Sequence, residues 1–300
     1  MIDSSDPTRK VLVTGALGNV GGPTVESLVG AGIGVRAGDL GVDRLRQRWG
    51  DRPGEIEMVH LDFTDPATFG PALEGCDGLF LLRPPPISRV GPTLNALIDR
   101  AAVAGIRHVV FSSVAGADRN VVVPHHRVER HLRASPLRWT MLRPGFFAQN
   151  LADAYLTDIV EDHRLLVPAG DGRVAFLDVR DLADVAAIVF SSPHEHVGRG
   201  YHLTGPGAVT FDEVAGLLTD RLGVEVRYQR ASVRSYVRHL RRRGLPAAAI
   251  AVQTVLHVGL RRGDAEEVDP TLGHLLGRPA RTVDQYIDDT AATWTQSHRA

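Results

Sequence analysis

A chain of 300 residues with 43% apolar side chains can bury a normal core, as one large domain or two smaller ones, which excludes a disordered or fibrous protein. The 34 basic and 35 acidic residues leave a net charge of −1, which argues against a general nucleic-acid binder. A single cysteine, Cys76, excludes an internal disulfide, and no signal peptide or run of about 18 apolar residues is present, so a soluble cytoplasmic protein without a membrane partner is expected.

Residues 1–9 are polar and are expected to be loose. From there apolar runs alternate with helix-like segments. Strands are predicted at Val11–Thr14, Val35–Asp39, Ile56–Asp62, Leu79–Leu82, His108–Ser112 and Trp139–Leu142, and helices near 20–30, 42–48, 65–74, 88–104 and 125–134. Alternation of this kind implies an α/β fold of Rossmann type, a doubly wound parallel sheet with helices on both faces. The pattern loosens after Arg143. "VAFLDVRDLADVAAIVF" reads as a strand, an Asp cap and a helix, and "YHLTG" and "VEVRYQ" read as short strands. "TFDEVAGLLTDRLG" carries a capping box at Thr210 and Glu213, and "TVDQYIDDTAATW" a second at Thr282 and Gln285. The expected division is 1–145, with 174–200 returning to it, against a smaller and mostly helical C-terminal substrate-capping region, 146–173 and 201–300. Within that region "GFFAQNLADAYL" and "LPAAAIAVQTVLHVGL" are candidates to line an apolar pocket, and ordinary core helix is the competing reading. The arginines at 241–243 and 261–262 read as solvated helix ends.

The stretch "VTGALGNVGG", residues 13–22, lies between the first strand and the first helix. Gly15, Gly18 and Gly21 are spaced so that the backbone can approach a pyrophosphate while the helix N-terminus presents N–H donors. Thr14, Gly15, Leu17, Gly18, Asn19, Val20 and Gly21 are therefore candidate dinucleotide-binding residues, with a structural tight turn as the alternative. Asp39 ends the second strand, where a carboxylate can accept hydrogen bonds from both ribose hydroxyls and repel a 2′-phosphate. NAD is thus expected in preference to NADP, although Arg44 lies close by in sequence.

Taken together, "VLVTGALGNVGG", "LDFTDP", "HVVFSSVAGAD", "LRPGFFAQNL", "FLDVRDLADVAA" and "YHLTGPGAVTFDEVAGLL" resemble the atypical short-chain dehydrogenase/reductases, in particular their NmrA-like NAD(P)-binding group. The resemblance implies that Asp62 reaches the adenine and Phe63 helps cover it. It implies that Leu81, Leu82 and Arg83 pass the nicotinamide-side ribose, and that the loop from Pro144 through Phe146 to Phe147 touches the nicotinamide. Helix capping by Asp62 and loop satisfaction by Ser112 and Ser113 are the competing readings.

Typical members of the wider superfamily place a Tyr-x-x-x-Lys helix after a serine. Thirteen residues beyond Ser112 this chain has His125, and four further on Glu129. Candidate catalytic residues are therefore His125, Ser112, Ser113 and Glu129, with His125 able to donate a proton near neutral pH. "PHHRVERH" lacks metal-ligand spacing, and no metal is expected. The leading expectation is an NAD(P)-dependent oxidoreductase that hands hydride to a conjugated acceptor, a quinone, enone or iminium-like system. The alternatives are a redox-sensing regulator without turnover and a non-redox isomerase, cyclase or lyase. The expected partner is a small hydrophobic or aromatic substrate, and the expected state is a monomer or homodimer.

Overall fold

Short apolar runs that can be covered on both faces become the strands of a central sheet. In the computed structural model, which describes residues 10–52 and 54–296, β1 (Lys10–Thr14), β2 (Gly34–Asp39), β3 (Ile56–His60), β4 (Gly78–Leu82), β5 (His108–Ser112) and β6 (Arg138–Pro144) fall where predicted within two residues at either end. Residues 1–9 lie outside the described residues. The intervening helices are α1 (Gly21–Gly30), α2 (Val42–Trp49), α3 (Phe69–Leu73), α4 (Ala96–Val103) and α5 (Pro124–Ala134). The helix expected from residue 88 begins instead as a π-helical turn, Gly91–Asn95, which runs into α4.

The chain continues through α6 (Leu156–Val160), β7 (Arg164–Val167), β8 (Arg173–Val174), α7 (Val179–Ser191), α8 (Pro193–His196) and β9 (Arg199–Leu203). It ends with β10 (Val209–Thr210), α9 (Phe211–Leu222), β11 (Arg227–Arg230), α10 (Val233–Arg242), α11 (Ala247–Leu260), α12 (Thr271–Leu276) and α13 (Val283–Gln296). Contacts divide these elements into two units. The first comprises residues 1–144, 179–203 and 274–277; the second comprises 145–178, 204–273 and 278–300. Among the described residues no helix is long and apolar enough to cross a membrane.

The first unit is a seven-stranded, wholly parallel sheet in the order β3-β2-β1-β4-β5-β6-β9. Strand order reverses between β1 and β4, so the crevice beyond their C-terminal ends is the topological switch point, where such sheets bind ligands. Helices α1 and α7 pack together, and Ser27 Oγ donates to Asp184 across them at 2.7 Å.

The second unit has its own core, which includes Tyr155, Phe176, Phe211, Tyr286 and Trp294. Its strands form two small pairs, β10 antiparallel to β8 and β11 parallel to β7. Both predicted capping boxes form. Glu213 N donates to Thr210 Oγ1 at 3.2 Å, Gln285 N donates to Thr282 Oγ1 at 3.1 Å, and each side chain is answered from the N-cap backbone. The strand read into "VAFLDV" is only two residues long. Beyond Val174 the backbone stays extended but bonds to three separate segments: Ala175 N to Ala265 O, Leu177 N to Phe146 O, and Gly205 N back to Ala175 O.

Candidate functional site

The glycine turn is assembled from backbone constraints. Thr14 staples β1 to β4, its hydroxyl donating to Phe80 O at 3.2 Å and accepting from Leu82 N at 3.1 Å. Gly15 has φ +61°, in the left-handed region that favours glycine. Gly18 N donates to Gly15 O at 2.9 Å and closes the turn. A Cβ on Gly21 would stand 2.2 Å from Gly15 O, so no side chain fits there. Gly15 and Gly21 are thus required by the fold itself.

Gly18 is different. It is exposed, its φ is unexceptional, and a Cβ would meet only Gly15 O at 3.2 Å. Beside it α1 opens with Val20 at the N-cap, no side-chain cap and no acidic residue in the first turn. Those are the features of a helix N-terminus suited to an anion.

Asp39 ends β2, and its carboxylate accepts from Leu17 N at 3.1 Å and from Gly41 N at 3.5 Å. It buckles the glycine turn onto β2, a duty that needs no ribose. Asp62 likewise closes a local turn, accepting from both Thr64 N and Thr64 Oγ1 at 2.7 Å. Those bonds from Thr64 hold its carboxyl below the usual range. Phe63 is 7% exposed within the core cluster of the first unit, so its ring is a packing group. Leu81 is fully buried in the same cluster, while Leu82 is half-buried over Gly15.

The end of β4 meets the start of α5. Arg83 Nε donates to His125 Nε2 at 3.2 Å, and its Nη1 clamps the following loop through the carbonyls of Pro84, Pro85 and Ile87. A guanidinium only donates, so Nε2 is the accepting nitrogen and the imidazole carries its proton on Nδ1. Burial, reinforced by the Arg83 charge, lowers His125 to about 4. This corrects the expectation of a histidine that titrates near neutral pH: His125 is neutral there, with Nε2 already occupied.

Glu129 and Ser113 are bonded to each other. Glu129 has no exposed surface. It accepts from Ser113 Oγ at 2.7 Å, from Arg143 Nε at 2.9 Å and Nη2 at 2.8 Å, and from Arg133 Nη2 at 2.8 Å. Burial alone would raise its carboxyl, but the bonds from Arg143 and Ser113 and the two arginine charges outweigh that and leave it lowered. The serine and the carboxylate form a structural knot that ties α5 to β5 and β6. Arg143 was not singled out in the sequence, yet an arginine inside the apolar strand "WTMLRP" signals a buried partner. Ser112 ends β5 in register with Leu82 and Leu142, and is buried.

Pro144 closes β6, and its carbonyl accepts from Ala115 N at 2.9 Å. Phe146 belongs to the second unit and is 5% exposed, packed edge-on against Phe176 at 5.5 Å and His257 at 6.1 Å. It is a core residue of that unit. Beside it lies a buried polar cluster the sequence did not reveal. His257 Nδ1 donates to Gln253 O at 2.6 Å, Nε2 accepts from Tyr155 Oη, and burial lowers the ring to about 4. These residues come from "GFFAQNLADAYL" and α11, the two stretches proposed to line a pocket; here they hold the second unit together.

The chain matches the family model described as the NmrA-like family over residues 7–292. It is 30% identical over 288 residues to an NAD(P)H azoreductase from Xenophilus azovorans, covering 95% of this chain and 99% of that one. It is 28% identical over 281 residues to quinone oxidoreductase 2 of Escherichia coli, covering 92% and 97%. Among solved structures it superposes on an NADPH-dependent quinone oxidoreductase from E. coli complexed with NADPH, with a TM-score of 0.82, 27% identity, and coverage of 94% and 99%.

Proposed function

The chain belongs to the NmrA-like family and is an NAD(P)-dependent oxidoreductase; we propose that its acceptor is a conjugated electrophile such as a quinone, enone, iminium-like or azo compound. The observation that carries this reading is the state of His125. It stands where a catalytic tyrosine would be expected, yet it is neutral and its Nε2 is filled by Arg83. A plain ketone becomes a basic alkoxide that needs a strong donor, whereas a conjugated acceptor gives a delocalised anion that needs little protonation.

A dinucleotide fits the first unit. Gly18 leaves open the face that a side chain would fill, and the uncapped N-terminus of α1 complements a diphosphate. When bound, the nicotinamide supplies the hydride. The backbone of residues 15–21 would hold the diphosphate. Asp62 and Phe63, Leu81 through Arg83, Ser112 and Pro144 would border the remainder from the strand ends. Arg83 fixes the loop after β4, and burial, reinforced by its charge, keeps His125 unprotonated. The Nδ1 proton of His125 remains to donate a hydrogen bond, so its work would be orientation and polarisation of an acceptor oxygen or nitrogen.

The form of the dinucleotide is the finer question. The NADPH bound by the E. coli neighbour favours the phosphorylated cofactor over the NAD preference read from Asp39. The duty of Asp39 toward Leu17 explains its presence without a ribose. We read NADPH as accepted, with the Asp39 charge limiting its advantage. Cofactor oxidation followed with NADPH and then NADH on a panel of quinones and azo dyes tests the proposal. Turnover on at least one conjugated acceptor is expected. Tight binding of either dinucleotide with no turnover on any of them would overturn it in favour of a regulator.

A further inference from the structure

The outer face of α5 carries a feature that the reductase reading does not use. Val128, Glu129 and Leu132 are buried on one side of this helix, whereas Arg127, Arg130, His131 and Ala134 lie on the other at helical spacing. With the segment that follows the Arg83 clamp they line an open cavity of about 580 Å³. Its charged side is Arg89, Arg127 and Arg130. None of the three is paired with a carboxylate among the described residues. Asp99 is already engaged, accepting from His131 Nε2 at 2.7 Å. The apolar side is Val90, Pro92 and Ala134.

A further observation points to an external ligand. The wall opposite α5 is the π-helical turn Gly91–Asn95, in which Asn95 N donates to Val90 O at 2.9 Å. Single π-turns widen a helix and recur at functional sites. Asn95, the last residue of that turn, also lines the cavity.

We propose that this cavity is a binding site for an amphiphilic anion, a carboxylate or phosphate carried on a compact apolar body. The three guanidinium groups would take the anion, by charge-assisted bonds that are the stronger class of hydrogen bond. Val90, Pro92 and Ala134 would cover the apolar part. None of the residues assigned above to the dinucleotide lines the cavity, so the site is separate from the glycine turn.

The test is calorimetry on the full-length protein saturated with NADPH, with phenyl phosphate as probe and inorganic phosphate and benzyl alcohol as controls. Saturable one-to-one binding of phenyl phosphate is expected, tighter than that of inorganic phosphate, with no binding of benzyl alcohol. The exposed pair Arg127→Gln and Arg130→Gln should together weaken phenyl phosphate at least about tenfold while leaving NADPH affinity and Tm unchanged. No saturable heat with phenyl phosphate, or unchanged affinity in the double variant, would overturn the site. Equal affinity for inorganic phosphate and phenyl phosphate would overturn the assignment of an apolar body.

Discussion

The glycine turn and helix α5 follow β1 and β5, two strands of one parallel sheet, and teach opposite lessons. At the turn, spacing alone carries the geometry. Gly15 and Gly21 are set by a positive φ and a 2.2 Å approach, both consequences of backbone within seven residues. On α5, His125 and Glu129 have the right spacing, but their states are set by burial and by distant partners. Arg83 acts from 42 residues away, and Arg143 from 14. A carboxylate that looked catalytic is a buried brace, and a histidine that looked like an acid is held neutral.

The largest effect should come from breaking the brace. Glu129→Ala leaves Arg133, Arg143 and Ser113 without their acceptor, and removing one member of a buried ion pair costs about 3–5 kcal/mol. Urea unfolding measures it. A loss below about 1 kcal/mol, the scale of an exposed pair, would show that the brace is not buried in solution.

Protonation sharpens the same contrast. Burial lowers His108, His125 and His257 to about 4 in the folded chain. Unfolded, each would titrate near its ordinary value of about 6.5. The unfolded chain therefore binds more protons between those values. The stability held by these neutral rings is complete above about pH 6.5 and is lost as pH falls toward 4. Below about 4.5 the lowered Glu129 adds to the loss in the same direction. The urea midpoint should fall from pH 7.5 through 6 to 5; a constant midpoint would contradict neutral burial.

Gly18 separates fold from binding at the turn. Gly18→Val places its side chain on the exposed side of the loop, so Tm should hold within a few degrees while dinucleotide affinity falls at least about tenfold. Gly21→Val should cost both, because its Cβ has nowhere to go. If the two variants behave alike, the distinction between a ligand-facing and a packing glycine fails.

The smallest effect concerns charge at the end of β2. Asp39→Asn keeps an acceptor for Leu17 N and removes the carboxylate, so the affinity ratio of NADPH to NADH should rise several-fold by calorimetry. An unchanged ratio would place the 2′-position away from Asp39.

What was legible in the sequence follows the same division. The strands of the first unit were readable because each is a local apolar run. The capping boxes were readable because both partners lie three residues apart. The stretch from Ala175 to Asp178 was not, because its backbone bonds to residues 146, 205 and 265, which no local pattern announces. The site was legible to the same extent. The turn could be placed, but the roles of Asp39, Asp62, Ser113 and Glu129 could not be separated from turn closure and bracing until their partners were located.

The central claim is that the chain reduces acceptors that need no strong acid, because His125 is neutral and bonded to Arg83. The most direct measurement is kcat/KM with NADPH for benzoquinone and for cyclohexanone, between about pH 5.5 and 8, on the wild type and on His125→Ala. The account expects quinone reduction with no inflection near pH 6.5, no detectable ketone reduction, and a loss in the variant well short of the roughly 10²–10⁴-fold that general acid catalysis supplies. Ketone reduction, or a limb near pH 6.5 that disappears in His125→Ala, would contradict it.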